Sequence, residues 1–170
     1  IVYAAALDNG YSPASVILDA PVEFKMPDGS MWKPKNYQNK FFGPSTLRRG
    51  IEQSRNVMTV RLANELGMAK IIDLATRLGI YDKLPAQLAM ALGAGETTLL
   101  KMVTAYAMID NGGKRVEPTL IDRIQDRYGR TIFKHDKRDC AACSVADWTP
   151  DLPEPELLDV NDQVMNPYTA

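Results

Sequence analysis

Residues 45–66 read STLRRGIEQSRNVMTVRLANEL, and this stretch decides how the chain is organised. Ser45 and Thr46 are residue types that cap helices, and a short helical pattern follows them to about residue 53. A second pattern covers residues 57–66, and its apolar side chains recur at i, i+4 and i+8: Met58, Leu62 and Leu66. The stretch therefore predicts two helices separated by a short polar break.

Three more helices are predicted outside this stretch. The first covers residues 1–7 and ends at a stop signal containing Gly10. The second covers residues 68–78. The third covers residues 98–110 and is capped by Thr97, and its predicted core-facing stripe consists of Leu99, Met102, Tyr106 and Ile109. These elements predict a helical lobe.

The remaining segments predict loops and one hairpin. Residues 20–44 are rich in Pro and Gly with aromatic side chains between them, which predicts a long ordered loop pinned by the aromatics. Residues 84–92 fit either a helix or a strand. Residues 119–125 and 131–134 predict two strands that turn at Gly129.

Composition and charge exclude several classes of protein. The 170 residues are 45% hydrophobic and 24% charged, as in an ordinary globular domain. The net charge of −1 does not indicate the basic surface that nucleic-acid binding requires. No apolar run approaches the ~20 residues that span a bilayer. Residues 136–170, the acidic segment, hold eight acids, two bases and four prolines. This segment is predicted to be extended and solvated.

The two cysteines, Cys140 and Cys143, form a lone Cys-x-x-Cys in the acidic segment. A zinc site would need two further ligands and the chain has one histidine, His135, so neither a metal nor a cofactor is expected. A local disulfide in an oxidising compartment is the preferred interpretation. A thiol-redox pair is the alternative, although its flanking sequence lacks the usual strand and helix.

Residues 54–56 are the best candidates for chemistry. The Ser54 hydroxyl can relay a proton to or from a neighbouring amine, and the Asn56 amide can donate to one group while it accepts from another. The structural alternative is that Ser54 caps the following helix and Asn56 bonds the local backbone. Residues 33–61 also carry seven bases and one acid, which would suit an anionic peptide or glycan or would form a solvated face.

Several segments together resemble the transpeptidase domain of class A penicillin-binding proteins of the 1A type. They are residues 32–63, the run Leu-Gly-Ala-Gly-Glu-Thr-Thr at 92–98, the helix ending in Asn-Gly-Gly at 111–113, and Tyr-Ala-Ala-Ala-Leu-Asp-Asn-Gly at 3–10. The resemblance implies an α/β (α+β) fold of the serine β-lactamase/transpeptidase class. This chain would hold mostly the helical subdomain and a hairpin, with the central sheet incomplete.

The family uses three motifs: Ser-x-x-Lys, Ser-x-Asn and Lys-Thr/Ser-Gly. The second is matched at Ser54 and Asn56. A Ser-x-x-Lys also occurs at residues 30–33, but the motif must begin a helix so that Ser and Lys share a face, and a Pro/Gly-rich loop cannot provide this. We therefore expect residues 1–170 to be an internal part of one transpeptidase domain, with a helical lobe and hairpin at 1–135 followed by the acidic segment.

The resemblance also implies a function. It predicts part of a peptidoglycan DD-transpeptidase that cross-links stem peptides through a seryl acyl-enzyme and binds β-lactams. Ser54 would pass a proton to the departing amine, and Asn56 would hold the amide on the acyl side of the donor. The parent protein would work at the periplasmic face of the bacterial inner membrane, with a glycosyltransferase domain and a membrane anchor, and the 170 residues alone would be inactive.

Besides the thiol-redox pair, three alternatives stay open from the sequence. The chain could be a non-catalytic peptide- or partner-binding module of the same fold, a DD-carboxypeptidase, or a β-lactamase. Arg55 disfavours the last of these, because β-lactamases often carry Asp between the Ser and the Asn.

Overall fold

The computed structural model describes residues 1–26, 28–140, 149, 151–152, 157–158 and 161–170. The chain forms two compact units, one of residues 1–114 with 163–170 and the other of residues 115–162. The predicted hairpin thus groups with the residues that follow it. That both units belong to one transpeptidase domain stays a prediction.

The first unit is mainly helical, as predicted. Its α-helices are α1 (Val2–Asp8), α2 (Leu47–Glu52), α3 (Asn56–Leu66), α4 (Met68–Arg77) and α5 (Leu99–Asp110). The ambiguous segment at 84–92 contains a 3-10 helix at Leu88–Leu92. The predicted cap of α2 is correct, because the Thr46 hydroxyl accepts the backbone N–H of Arg49 at 3.3 Å.

The described strands form four separate two-stranded antiparallel sheets. In the first unit, β1 (Val16–Asp19) pairs with β4 (Gly43–Thr46), and β2 (Phe24–Lys25) pairs with β3 (Met31–Trp32). In the second unit, β5 (Arg123–Gln125) pairs with β6 (Thr131–Lys134), and β7 (Asp139–Cys140) pairs with β8 (Leu157–Leu158). The sequence predicts the β5–β6 hairpin but not β1, β2, β3 or β4.

Helix α3 is the centre of the first unit. It packs against α1, α4, β1 and the 3-10 helix. The predicted stripe is confirmed: Met58 and Leu62 are completely buried and Leu66 is nearly so. The full burial of such a side chain stabilises a fold by roughly 1.5–3 kcal/mol. Helix α3 is therefore firmly held, and it provides a rigid support for the break between α2 and α3 at its N-terminus.

The predicted core stripe of α5 is wrong. Leu99 and Tyr106 are largely exposed, and the buried side chains are instead Thr104, Ala105 and Met108. The helix is apolar on nearly every face, so its periodicity does not select a side. The cap is Thr98, whereas the Thr97 hydroxyl donates to the carbonyl of Ile80 at 2.6 Å.

The end of the acidic segment is anchored by two buried residues, which corrects the expectation of a solvated tail at these two positions, while most of residues 161–170 are exposed as expected. Val164 and Met165 are buried, and both donate their backbone N–H groups to the carbonyl of Gly113. The Arg77 guanidinium donates to the carbonyl of Val164. The prediction of a solvated segment is based on its net charge and its prolines. Neither quantity indicates that two neighbouring hydrophobic residues are buried.

Two adjacent glycines after α5 provide a test of this packing. Both have a positive φ, +64° at Gly112 and +79° at Gly113, but only at Gly113 would a Cβ lie 2.5 Å from the Met165 carbonyl oxygen. We expect Gly112→Ala to lower the free energy of unfolding by about 1 kcal/mol from backbone strain alone. Gly113→Ala should cost about 2–3 kcal/mol, because overpacking adds to the strain. Urea unfolding of the two variants measures the difference, and equal losses would contradict this packing.

In the second unit, the turn of the β5–β6 hairpin is held by hydrogen bonds to the carboxylate of Asp126. This carboxylate accepts the backbone N–H groups of Tyr128 and Arg130 at 2.8 and 3.0 Å, and the Nε–H of Arg130 at 2.8 Å. The bond from the Arg130 backbone N–H is the main cause that holds the pKa of Asp126 below its ordinary value of 3.8.

We expect this turn to loosen in acid. Because the folded pKa of Asp126 is the lower one, the charged carboxylate stabilises the hairpin above a pH of about 4, and this contribution disappears as the pH falls through the folded pKa. An NMR titration of the Asp126 carboxyl carbon should give a midpoint below 3.8, with loss of cross-strand contacts over the same pH range. A midpoint at or above 3.8 would show that the carboxylate does not hold the turn.

Candidate active site

The break between α2 and α3 forms a tight turn with an unusual backbone. Ser54 has a φ of +48°, a left-handed conformation that costs a residue other than Gly roughly 1–2 kcal/mol. Two backbone bonds close the turn: the N–H of Ser54 donates to the carbonyl of Ile51 at 3.2 Å, and that of Arg55 to the carbonyl of Gly50 at 2.9 Å. The conformation of Ser54 is thus imposed by its surroundings.

The turn presents Ser54 to an open cleft of about 280 Å³. The lining residues come from the turn and from the loop before β4: Asn36, Tyr37, Gln38, Phe42, Gln53, Ser54 and Arg55. Ser54 is exposed, and within the described part of the chain its hydroxyl makes no hydrogen bond. The capping alternative is wrong for Ser54, because the N-cap of α3 is Arg55, whose own side chain makes no capping bond.

Asn56 begins α3 and is half-buried. Its Nδ2 donates to the carbonyl of Lys35 at 3.2 Å, and its side chain is not among those that line the cleft. The Ser-x-Asn spacing at a break between two helices allows the side chains of Ser54 and Asn56 to turn to the same side, but the structure does not bring both into the cleft. The structure places both at the head of α3, with Ser54 in the cleft and the Asn56 amide held by the neighbouring loop.

Arg55 lies between these two residues and is buried. Its Nη1 donates to Oδ2 of Asp19 at 3.1 Å, and its guanidinium carbon lies 3.3 Å from the centroid of the Phe42 ring. Its charge therefore does not contribute to a basic surface. Lys33 is likewise paired, to Glu23 at 2.6 Å, so the excess of bases over residues 33–61 is partly neutralised.

Sequence reasoning missed the residues that hold the turn from behind, Asp19 and Asn36. Asp19 is completely buried at the end of β1, and the Nδ2 of Asn36 donates to its two carboxylate oxygens at 2.8 and 3.0 Å. The same Nδ2 donates to the carbonyl of Lys40 at 2.9 Å, while Oδ1 of Asn36 accepts the backbone N–H of Val57 at 3.1 Å. Asn36 thus caps α3 in place of a local side chain.

The charge of Asp19 also reaches α1. Burial is the main cause that raises the pKa of Tyr3, and the nearby Asp19 carboxylate raises it further, while a hydrogen bond to Thr59 opposes the shift. The Tyr3 hydroxyl and the Thr59 hydroxyl are 3.2 Å apart. The Asp19 carboxylate of β1 therefore interacts with Tyr3 of α1 as well as with Arg55 of the turn.

The Ser-x-x-Lys at residues 30–33 lies in the β2–β3 hairpin and not at the start of a helix. The Ser30 hydroxyl donates to Asp28 at 2.6 Å, and the Lys33 ammonium pairs with Glu23. The structure thus supports the interpretation of this match as a coincidence. The disulfide prediction falls outside the described residues, which exclude Cys143 and the side chain of Cys140.

No group of metal-ligating side chains is present among the residues that the structure describes. In the same residues, no helix combines the length and the apolar character that crossing a bilayer requires.

Comparison with solved structures defines the class of the fold. The crystal structure of penicillin-binding protein 1A from Haemophilus influenzae aligns with a TM-score of 0.73 and 40% identity, over 78% of this chain and 20% of that one. PonA1 from Mycobacterium tuberculosis aligns over 99% of this chain and 42% of that one with a TM-score of 0.75 at 20% identity, which shows the fold alone. The fold is that of a penicillin-binding transpeptidase, so the predicted α+β class is confirmed.

The family follows from the sequence comparisons. The family model for the penicillin binding protein transpeptidase domain matches residues 1–149, and the chain belongs to this family. Penicillin-binding protein 1A from Rickettsia conorii is 44% identical over 168 residues, which are 95% of this chain and 21% of that protein. The resemblance to the class A, 1A-type transpeptidase domain is confirmed, and the chain spans about a fifth of the length of the curated relatives it matches.

Proposed function

We propose that this chain carries the Ser-x-Asn segment of a serine DD-transpeptidase that cross-links peptidoglycan stem peptides and is acylated by β-lactams. The observation that carries the proposal is the Ser54 hydroxyl, which lies in an open cleft on a turn held in a left-handed conformation and makes no hydrogen bond to any residue that the structure describes. A strained, exposed polar residue on a rigid support is a common feature of active sites. Because the chain belongs to the penicillin-binding family, we assign this hydroxyl a role in acyl transfer.

The hydroxyl of Ser54 suits proton transfer to a leaving nitrogen. When the bond between the acyl carbon and the nitrogen breaks, the nitrogen needs a proton, and an O–H group can donate one while its oxygen accepts another from a neighbouring amine. In the same proposal the Asn56 amide holds the acyl-side amide of the donor peptide. Its Nδ2 already donates to Lys35, so the substrate would meet its Oδ1 or share the Nδ2.

The nucleophilic serine, its lysine and the third motif would come from other parts of a longer polypeptide. The 170 residues contain no Lys-Thr-Gly or Lys-Ser-Gly, and their one Ser-x-x-Lys lies in a hairpin. We therefore expect the 170 residues by themselves not to turn over substrate. From the family resemblance we expect the whole protein to work at the periplasmic face of the inner membrane, with a membrane anchor and a glycosyltransferase domain.

The experiment is a product assay on the full-length protein with stem-peptide donor and acceptor strands. Release of the terminal D-residue together with cross-linked dimers, both blocked by penicillin, is the expected result. Release without cross-links would indicate a carboxypeptidase instead. Absence of both products and of penicillin labelling would overturn the proposal in favour of a binding module.

A further inference from the structure

Three segments that are distant in sequence meet at the carboxylate of Asp19. They are β1, which carries Asp19, the loop before β4, which carries Asn36, and the turn that carries Arg55. The Asp19 side chain is completely buried and the Arg55 side chain is 10% exposed. A buried carboxylate with three charge-assisted contacts has one well-defined geometry, so it fixes the segments that it joins.

Arg55 transmits this geometry to the turn. Its guanidinium is held by Asp19 on one side and lies on the Phe42 ring at 3.3 Å. Because Arg55 is directly bonded to both Ser54 and Asn56, a fixed Arg55 side chain limits the backbone freedom of both. The left-handed φ of Ser54 is the conformation that this arrangement holds.

The loop before β4 provides a second connection to the same turn. Oδ1 of Asn36 accepts the backbone N–H of Val57 in the first turn of α3, and Nδ2 of Asn36 donates to Asp19. The carbonyl of the preceding residue, Lys35, accepts the Nδ2–H of Asn56. The Asn56 side chain is therefore oriented by a loop whose own position depends on Asp19.

We propose that Asp19 and Arg55 are positioning residues for the Ser-x-Asn segment, acting through the turn backbone to hold the Ser54 hydroxyl at its working position. This inference rests on the function proposed above and adds to it two residues that act through the turn: Asp19 is completely buried, and Arg55 lines the cleft but is held by Asp19 and the Phe42 ring. A hydroxyl displaced by about 1 Å would lose much of its effect on the rate. The pair therefore controls the acylation rate and not the affinity for penicillin.

The test uses the full-length protein and a fluorescent penicillin, with the acylation rate at saturation and the half-saturating concentration measured separately. Arg55→Lys keeps the charge but loses the planar group that stacks on Phe42. We expect the saturating rate to fall about 10–100-fold, with the half-saturating concentration changed by less than about threefold. The matched control is Arg49→Lys, the same change at an exposed residue of α2, which should leave both quantities unchanged.

A second arm separates positioning from stability. Arg55→Lys is also made in the Ser54→Ala background, where a residue that acts through Ser54 should lower the rate by no more than about twofold. A full additional drop there would overturn the positioning role. If Arg55→Lys does not fold, as judged by circular dichroism, Asp19→Asn replaces it and is expected to give the same pattern.

The outcomes distinguish this inference from the proposed function. A slow Ser54→Ala variant with Arg55→Lys and Asp19→Asn at the wild-type rate overturns the positioning role and leaves the function in place. A Ser54→Ala variant at the wild-type rate overturns both.

Discussion

Ser54→Ala in the full-length protein is expected to slow acylation by a fluorescent penicillin by a factor of about 10²–10⁴. The structure shows an exposed hydroxyl without a hydrogen-bond partner among the described residues, so its loss should cost the fold little. The rate loss has a chemical cause, because the leaving nitrogen is left without its proton donor. Stopped-flow measurement of the second-order acylation constant gives the factor.

Two matched variants sharpen this test. Ser54→Gly also lacks the hydroxyl but relieves the positive φ, so it should lose the same factor while being more stable than Ser54→Ala. Ser45→Ala removes a hydroxyl whose one hydrogen bond within the described residues goes to the carbonyl of Gly43, and this variant should acylate at the wild-type rate. Acylation of Ser54→Ala within a factor of about three of the wild type would contradict a proton-transfer role.

Asp19→Ala is expected to lower the free energy of unfolding by about 3–5 kcal/mol. The substitution removes the only carboxylate bonded to the buried guanidinium of Arg55 in the described part of the chain, and it also removes two acceptors of Asn36. A buried charge that loses its partner keeps its desolvation penalty without the compensating attraction. Chemical denaturation followed by circular dichroism measures the loss.

The control is Asp82→Ala, which breaks an ion pair of similar length with Lys101 at a side chain that is 91% exposed. Because solvent screens exposed pairs, we expect a loss of only about 0–1 kcal/mol. An equal loss of stability in the two variants would show that burial of the Asp19–Arg55 pair has no energetic consequence. The turn that carries Ser54 would then not be held by this pair.

The elements that could be predicted from the sequence are those with a strong local signal. The stripe of α3, with Met58, Leu62 and Leu66, has helical spacing beside polar residues, and the structure confirms it. Thr46 predicts the start of α2, and Gly129 predicts the turn of the hairpin, because both act through bonds to residues close in sequence. Helix α5 lacks such contrast, so its buried face could not be chosen.

The support of the candidate site could not be predicted for a different reason. Asp19 is 17 residues from Asn36 and 36 residues from Arg55, and no local pattern indicates that they meet. The φ of Ser54 likewise depends on contacts made by its neighbours and not on its own residue type. The family resemblance provided Ser54 and Asn56, whereas only the fold reveals how the turn between them is held.

A crystal structure of the full-length protein acylated by a penicillin would show whether Ser54 reaches the leaving nitrogen. If Ser54 donates the proton, its hydroxyl oxygen should lie about 2.6–3.2 Å from the nitrogen released by opening of the β-lactam ring. We also expect that Ser54 keeps its left-handed backbone and that Arg55 remains paired with Asp19. The proton-transfer role of Ser54 would be contradicted if its hydroxyl lay beyond hydrogen-bonding reach of that nitrogen, or if the turn were rearranged.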